Sequence, residues 1–140
     1  MLRIFIILPF LFLPILLYAL IAMTAGSNGT EAALARPIFT AGMFSGGDWV
    51  FTMRDLVLLV GLLCLFAEVL KSVRTKGDSI INHGLSLGVL IVCIIGFLAV
   101  PGFHTSTFFL LMVITLLDVV AGPMLSIVAA RRDFGVGTQI

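Results

Sequence analysis

Charged residues are scarce in this sequence of 140 residues. Only 11% of the residues are charged, 61% are hydrophobic, and the mean hydropathy is +1.26. Soluble domains carry about 25% charged residues and roughly 45–50% apolar residues. The composition therefore excludes a water-soluble protein. The net charge of +1 gives no reason to expect nucleic acid as a partner.

Residues that bind metals or cofactors are also few. The only cysteines, Cys64 and Cys93, stand in separate apolar runs without a CxxC motif, and we expect them to be small packing residues. The two histidines, His83 and His104, fall at opposite ends of a predicted membrane helix, too far apart to share a haem. The sequence therefore indicates no cofactor, no metal site and no catalytic constellation.

The chain instead contains long apolar runs. At about 1.5 Å of rise per residue, roughly twenty residues cross the hydrocarbon core of a bilayer. We predict helices of about this length over residues 4–23, 53–71, 79–100 and 106–130, with a loop over residues 24–52. The predicted fold is an all-α membrane protein. It is a single domain, a bundle of four transmembrane helices with one longer extracytoplasmic loop.

The first run has two interpretations. Arg3 followed by an apolar stretch is typical of a secretory signal peptide, but the apolar part of such peptides has about 7–15 residues. This run has twenty residues, so we favour a retained helix and keep a cleaved signal as the alternative. Pro9 and Pro14 are expected to kink the helix, because proline removes a backbone hydrogen bond.

The loop carries its own structural signals. Thr30 is expected to cap a short helix from Glu31 to Arg36 that ends at Pro37. The turn signal 45–48 then divides an apolar segment, which forms either a small hairpin or an irregular interfacial loop. In both cases we expect the rings to rest at the level of the lipid headgroups. The apolar members are Ile38, Phe39, Met43, Phe44, Trp49 and Phe51.

Short signals also mark the ends of the later helices. Thr52, followed three residues later by Asp55, matches a capping box and starts the second helix. Pro101 and Gly102 end the third helix. The pair 122–123 is expected to kink the fourth helix.

Basic residues near the helix ends predict the orientation. Six of them fall on one side of the predicted membrane, and two, Arg36 and Arg54, fall on the other. The side richer in lysine and arginine is normally cytoplasmic. We therefore predict a multi-pass protein of the cell inner membrane with both termini in the cytoplasm. The six residues are Arg3, Lys71, Arg74, Lys76, Arg131 and Arg132.

Small residues recur at helical spacing in the last three predicted helices. Gly61 lies in the second, Gly84 and Gly88 form a GxxxG motif in the third, and Gly122 precedes Pro123 in the fourth. Helices in lipid approach one another closely where small residues lie. We predict that these positions pack helices together, within the chain or against a partner subunit.

Asp118 is an acid in the middle of the fourth predicted helix. It stands thirteen residues before Arg131, about 20 Å from the cytoplasmic end, with Thr115 and Cys93 at a similar depth. An ionised carboxylate there costs about 2.5–3.5 kcal/mol or more, so we expect Asp118 to be protonated at neutral pH. Three roles stay open: a hydrogen bond between helices, a site on an ion path, or pairing with a basic group of another subunit.

Glu68, Asn82 and His83 form a second candidate group near the cytoplasmic ends of the second and third helices. An ion pair with Lys71, one turn away, is the simplest explanation of Glu68. Asn82 and His83 could join it in a polar cluster. If these side chains lined an accessible cavity, a membrane enzyme would become a further hypothesis.

Several features in the later two thirds of the chain form a pattern. They are Gly47, Asp48, Trp49, the segment 65–71, Asp118 and the segment 130–135. This pattern resembles that of small uncharacterised inner-membrane proteins of alphaproteobacteria, and the resemblance implies a membrane protein without implying an activity. Small multidrug transporters fit less well, because they carry an acid in their first helix and the first predicted helix of this chain has none.

Two functional hypotheses follow. The first is a non-enzymatic accessory, assembly or scaffold component, in contact with the lipid bilayer and with a membrane-protein partner or further copies of itself. The alternative is a small oligomeric transporter or channel that uses Asp118 as a proton- or cation-linked site.

Overall fold

The fold is mostly helical, with one small antiparallel sheet. The computed structural model describes residues 9–74 and 79–135. Within these ranges the elements are α1 (Phe12–Ala25), α2 (Thr30–Leu34), β1 (Pro37–Gly42), β2 (Asp48–Thr52), α3 (Met53–Arg74), α4 (Ser79–Ala99) and α5 (Ser106–Gly135).

Among the described residues, two helices are long and apolar enough to cross a membrane, over Ile81–Ala99 in α4 and over Ser106–Met124 in α5. Only 17% and 33% of these stretches are buried inside the chain, whereas the core helix of a soluble protein is mostly buried. α1 is also apolar but has fourteen residues, a length of about 21 Å. The outward-facing apolar helices indicate a protein that associates with a membrane.

α1 begins later than predicted within the described residues. Pro9 and Phe10 form a turn in which the Phe12 N–H donates to the Pro9 carbonyl at 3.1 Å. Pro14 therefore lies in the first turn of α1. N–H groups in the first turn have no partner within the helix, so the missing N–H of proline costs no hydrogen bond there. The kink expected at these prolines stays a prediction, because the chain before Pro9 is not among the described residues. Residues 4–8 of the predicted helix lie outside the described residues.

The short helix of the loop is present, but its start differs from the prediction. α2 covers Thr30–Leu34, and Gly29 occupies the N-cap position. The Thr30 hydroxyl instead donates to the Gly26 carbonyl at 3.1 Å. The predicted capping by Thr30 is therefore wrong, because Thr30 is itself a helical residue whose hydroxyl bonds back into the preceding turn.

The apolar segment after α2 is a hairpin, which confirms one of the two predicted alternatives. β1 and β2 are antiparallel, with Phe39 opposite Phe51 and Ala41 opposite Trp49. The turn between them is closed by the Met43 N–H, which donates to the Gly47 carbonyl at 2.8 Å. The fold is therefore not wholly α-helical.

α3 starts directly where β2 ends. The Asp55 carboxylate accepts hydrogen bonds from the Thr52 N–H at 2.8 Å and from the Thr52 hydroxyl at 2.6 Å. The predicted cap is confirmed. The helix continues to Arg74, three residues beyond its predicted end.

The turn between α4 and α5 contacts the connection between α1 and α2. Gly102 has φ +86°, and a Cβ at this position would lie 2.9 Å from the Thr30 hydroxyl. Glycine is needed here for both its conformation and its size. α4 ends at Ala99, next to the predicted Pro101–Gly102 stop. α5 continues through Pro123 to Gly135, five residues beyond its predicted end.

α3 lies against both α1 and α5, and α4 lies against α5. Gly61 is at the place where α1, α3 and α5 meet. A Cβ on Gly61 would lie 3.0 Å from Leu111 Cδ2 and 3.9 Å from Pro14 Cβ. The absence of a side chain therefore permits the close approach of these three helices.

Candidate functional site

Glu68 is the centre of a buried polar cluster that joins three parts of the chain. One carboxylate oxygen accepts a hydrogen bond from the Phe10 N–H at 3.0 Å. The other accepts from Asn82 Nδ2 at 2.8 Å and from Lys71 Nζ at 3.2 Å. We call Glu68, Lys71, Asn82 and Phe10 the Glu68 cluster.

Lys71 closes the same cluster from the other side. Its ammonium group donates to Asn82 Oδ1 at 3.0 Å and lies 5.1 Å from the centre of the Phe10 ring. The predicted ion pair between Glu68 and Lys71 is confirmed, and Asn82 bonds to both members. The result is a charged group whose bonds tie the start of α1, the end of α3 and the start of α4 together.

The environment of Glu68 bears on the enzyme hypothesis. The residue is 1% exposed, and both of its carboxylate oxygens accept hydrogen bonds from groups of the chain. A general acid or base must instead reach a proton of the substrate within hydrogen-bond distance. In the part of the chain that the structure describes, Glu68 is therefore enclosed and bonded to other groups of the protein.

Asp118 lies on the face of α5 that packs against α4. It is 6% exposed, and Ser86 of α4 is 5% exposed. The side chains of Asp118 and Ser86 are close enough to interact. Neither Asp118 Oδ2 nor Ser86 Oγ, however, forms a hydrogen bond of good geometry with any group in the described residues. We call these two residues the Asp118 pair.

His83 lies one turn before Ser86 and faces the same helix. A Cβ built on Gly122 would be 3.6 Å from His83 Nδ1, which places His83 beside the turn of α5 that follows Asp118. Glu68, Lys71 and His83 are all close enough to interact electrostatically with the Asp118 carboxyl group. Of the four candidate residues, Glu68 thus lies near the end of α3, Asn82 and His83 near the start of α4, and Asp118 in the middle of α5.

The predicted neighbours of Asp118 need correction. The Thr115 hydroxyl donates to the Met112 carbonyl of its own helix at 2.7 Å, so it is already used there. The residue across from Asp118 is Ser86, which lies seven residues, about 10 Å, into α4. A direct pair between Asp118 and a basic group of another subunit is disfavoured, because Asp118 is enclosed by its own chain.

The GxxxG glycines lie in a different environment from Gly61. A Cβ on either Gly84 or Gly88 would meet nothing within 4 Å. Both glycines instead line an apolar groove of about 330 Å³ between α1 and α4. Their helix-packing role stays a prediction. The groove is lined by Phe12, Ile15, Gly84, Leu85, Gly88, Val89 and Val92.

Tyr18 is a structural residue that the sequence prediction missed. Its hydroxyl donates to the Gly102 carbonyl at 2.9 Å and lies 2.6 Å from Thr105 Oγ1. Because the phenol has one proton, the Thr105 hydroxyl donates to the phenol oxygen. The ring also contacts Phe103 and Phe108. The signal was available, since a lone tyrosine in an apolar helix needs a hydrogen-bond partner.

Metal binding has no support in the part of the chain that the structure describes. Residues 9–74 and 79–135 contain no group of three or more His, Cys, Asp or Glu side chains that could hold a metal ion. Neither a family model, nor a curated protein, nor a solved structure matches this chain.

Proposed function

We propose that this chain is a multi-pass membrane protein that acts as an accessory, assembly or scaffold component and carries out no chemistry of its own. The main support is the Glu68 cluster, in which a buried carboxylate is bonded to three parts of the chain. A carboxylate used in this way fixes helix positions. The outward side chains of the helices are apolar, which suits contact with lipid and with an integral membrane protein.

The proposal includes four spans, formed by the apolar run 4–23, α3, α4 and α5. The Glu68 cluster gathers the start of α1, the end of α3 and the start of α4 at one end. Tyr18 meets the turn between α4 and α5 at the other. Successive long helices are therefore antiparallel. We place the first end in the cytoplasm, because it holds Lys71 and Arg74, and the resemblance given above favours an inner membrane.

Assembly is tested on the tagged full chain, extracted in polymer discs that keep its native lipid. Light scattering after size exclusion gives the particle mass, and mass spectrometry gives the composition. A tagged membrane protein of equal size, purified in the same way, identifies unspecific partners. A second membrane protein at fixed stoichiometry supports the proposal. Particles that contain this chain alone overturn it.

A second candidate is proton- or cation-linked transport at Asp118. The observation in its favour is the Asp118 pair, in which both residues are more than nine-tenths buried and Asp118 Oδ2 and Ser86 Oγ have no hydrogen-bond partner among the described residues. Buried polar atoms without partners cost about 1–3 kcal/mol each, and such costs are tolerated more often at functional sites.

Transport is tested in vesicles that contain the purified chain and a pH-sensitive dye. If Asp118 carries the ion, Asp118→Asn abolishes the flux while the helical content of the protein stays the same. Asp55→Asn makes the same chemical change at the half-buried start of α3 and should retain the flux. Equal flux in vesicles with and without the protein excludes transport of protons.

A further inference from the structure

The hairpin formed by β1 and β2 has one aromatic face. Cross-strand partners in an antiparallel pair point to the same side, and successive residues alternate sides. Phe39 and Phe51 therefore share a face with Ala41 and Trp49. The three rings pack against one another, with centres 5.0 to 5.8 Å apart. We call these four residues the aromatic face.

The rings remain accessible in spite of these contacts. Phe39 is 47% exposed and Trp49 is 48% exposed. Beside them at the turn, Phe44 is fully exposed and Met43 is 44% exposed. Large contiguous apolar patches are unusual on a surface in contact with water.

The opposite face of the hairpin is more polar. It carries Thr40 opposite Val50 and Gly42 opposite Asp48. Asp48 is the only charged residue between Arg36 and Arg54, and it lies on this face. The hairpin is therefore amphipathic across its thickness, with charge on one side and rings on the other.

The position of the hairpin indicates what covers the aromatic face. β2 leads directly into α3, and the hairpin follows α2, which contacts the turn between α4 and α5. The hairpin thus lies at the end of the bundle where the candidate membrane helices α4 and α5 are joined. A lipid surface at this end would be continuous with the lipid around those helices.

We propose that the aromatic face lies on this membrane surface, with its rings among the lipid headgroups and with the Thr40 face in water. Tryptophan and other rings with a polar edge prefer that depth. A two-stranded sheet has unpaired backbone groups at its edges, and these groups cannot enter hydrocarbon. The depth is therefore limited to the headgroup region, and the hairpin lies flat.

The test uses Trp49, the single tryptophan of the chain. The full chain is reconstituted into vesicles of phosphatidylcholine and phosphatidylglycerol. Its emission is quenched by phospholipids brominated near the headgroup, by phospholipids brominated near the end of the acyl chain, and by acrylamide in the water. We expect a blue-shifted emission and a clear loss of intensity with headgroup-proximal bromine. Acyl-end bromine and acrylamide should each have a smaller effect.

A matched variant tests the assigned face. Thr40→Trp combined with Trp49→Phe moves the fluorophore to the other side of the same hairpin. Its emission should lie at longer wavelength, respond strongly to acrylamide and lose little intensity with bromine. Phe39→Trp in the Trp49→Phe background should behave like the unmodified chain.

Equal quenching of Trp49 and of tryptophan at position 40 by acrylamide, without an effect of bromine, would overturn the proposal. A Trp49 that becomes shielded only when native membrane extract is added would overturn it too, in favour of a protein partner. The proposal does not rest on the accessory function. Reconstitution tests the membrane assignment separately from the position of the aromatic face. A chain that fails to enter vesicles contradicts the membrane assignment.

Discussion

Replacing Glu68 by glutamine tests whether the Glu68 cluster holds the helices together. The carboxylate accepts hydrogen bonds at both oxygens, from Phe10 on one side and from Asn82 and Lys71 on the other. Glutamine has a single oxygen and an NH₂ group in place of the second. In either orientation of the amide, the NH₂ group faces another donor, so at least one bond of the cluster is lost.

The expected loss of stability is about 3 kcal/mol. A hydrogen bond to a charged group contributes about 1.5–3 kcal/mol. Removing one partner of a buried ion pair costs about 3–5 kcal/mol, because the other charge stays behind. The Lys71 side chain is 13% exposed, so water can solvate part of its charge. The lower end of the second range therefore applies.

The assay is reversible unfolding in mixed micelles of a mild detergent and dodecyl sulfate, followed by helical circular dichroism. Asp55→Asn is the matched control, because it makes the same acid-to-amide change on the same helix. The Asp55 cap accepts two bonds from Thr52 at a half-buried position, and an amide oxygen can still accept them. A loss of less than about 1 kcal/mol is expected for this variant.

A double-mutant cycle with Lys71→Met measures the pair itself. The combined variant removes both charges, so its loss of stability should be smaller than the sum of the two single losses by about 1.5 kcal/mol or more. If Glu68→Gln lowers the free energy of unfolding no more than Asp55→Asn does, the assigned role of the Glu68 cluster is incorrect. A cycle without coupling would refute the ion pair while leaving the hydrogen bonds.

Four further substitutions probe the packing of the helices in the same assay. Gly61→Ala should destabilise by about 1–3 kcal/mol, because its Cβ would come 3.0 Å from Leu111. Gly88→Ala, which would meet nothing within 4 Å, should be neutral or stabilising by up to about 1 kcal/mol; equal effects at the two glycines would contradict this contrast. Tyr18→Phe keeps the ring and loses the hydroxyl contacts, so a loss of about 1–3 kcal/mol is expected and an unchanged midpoint would argue against them. Asp118→Leu replaces a buried acid without a hydrogen bond at Oδ2 and should be neutral or stabilising. Clear destabilisation there would show that the acid has a partner.

Elements with local signals could be predicted from the sequence. The Thr52–Asp55 cap, the turn between β1 and β2 and the stop at Pro101–Gly102 are each specified by a few adjacent residues. Each signal acts through its own backbone, so no knowledge of the tertiary fold is needed.

Which residue lies opposite Asp118 depends on how α4 and α5 are aligned along their length. The distance from Asp118 to Arg131 along α5 does not give this alignment. A short turn at Gly102 joins α4 to α5, and this turn sets the pairing of the two antiparallel helices. Asp118 and Ser86 are both sixteen residues from Gly102, so they come opposite each other. Gly96, whose Cβ would lie 3.7 Å from Phe108, follows the same register. Counting from the turn identifies Ser86.

The behaviour of the glycines depends on long-range packing, which the sequence does not encode locally. Gly61, Gly84 and Gly88 have the same residue type and similar spacing. Gly61 is in contact with side chains of two other helices, whereas the GxxxG pair faces an open groove. A small residue permits another helix to approach closely, but the close contact forms only where a neighbouring element lies against that residue.

The contacts of α1 constrain the order in which the chain acquires its structure. Phe10 is bonded to a residue 58 positions later, and Tyr18 to one 84 positions later. The ribosome therefore completes α1 long before either acceptor has been synthesised. Water or lipid headgroups must satisfy the Phe10 N–H and the Tyr18 hydroxyl in the meantime. Among the described helices, α1 is consequently one of the last to take its final place, after the turn at Gly102 has formed.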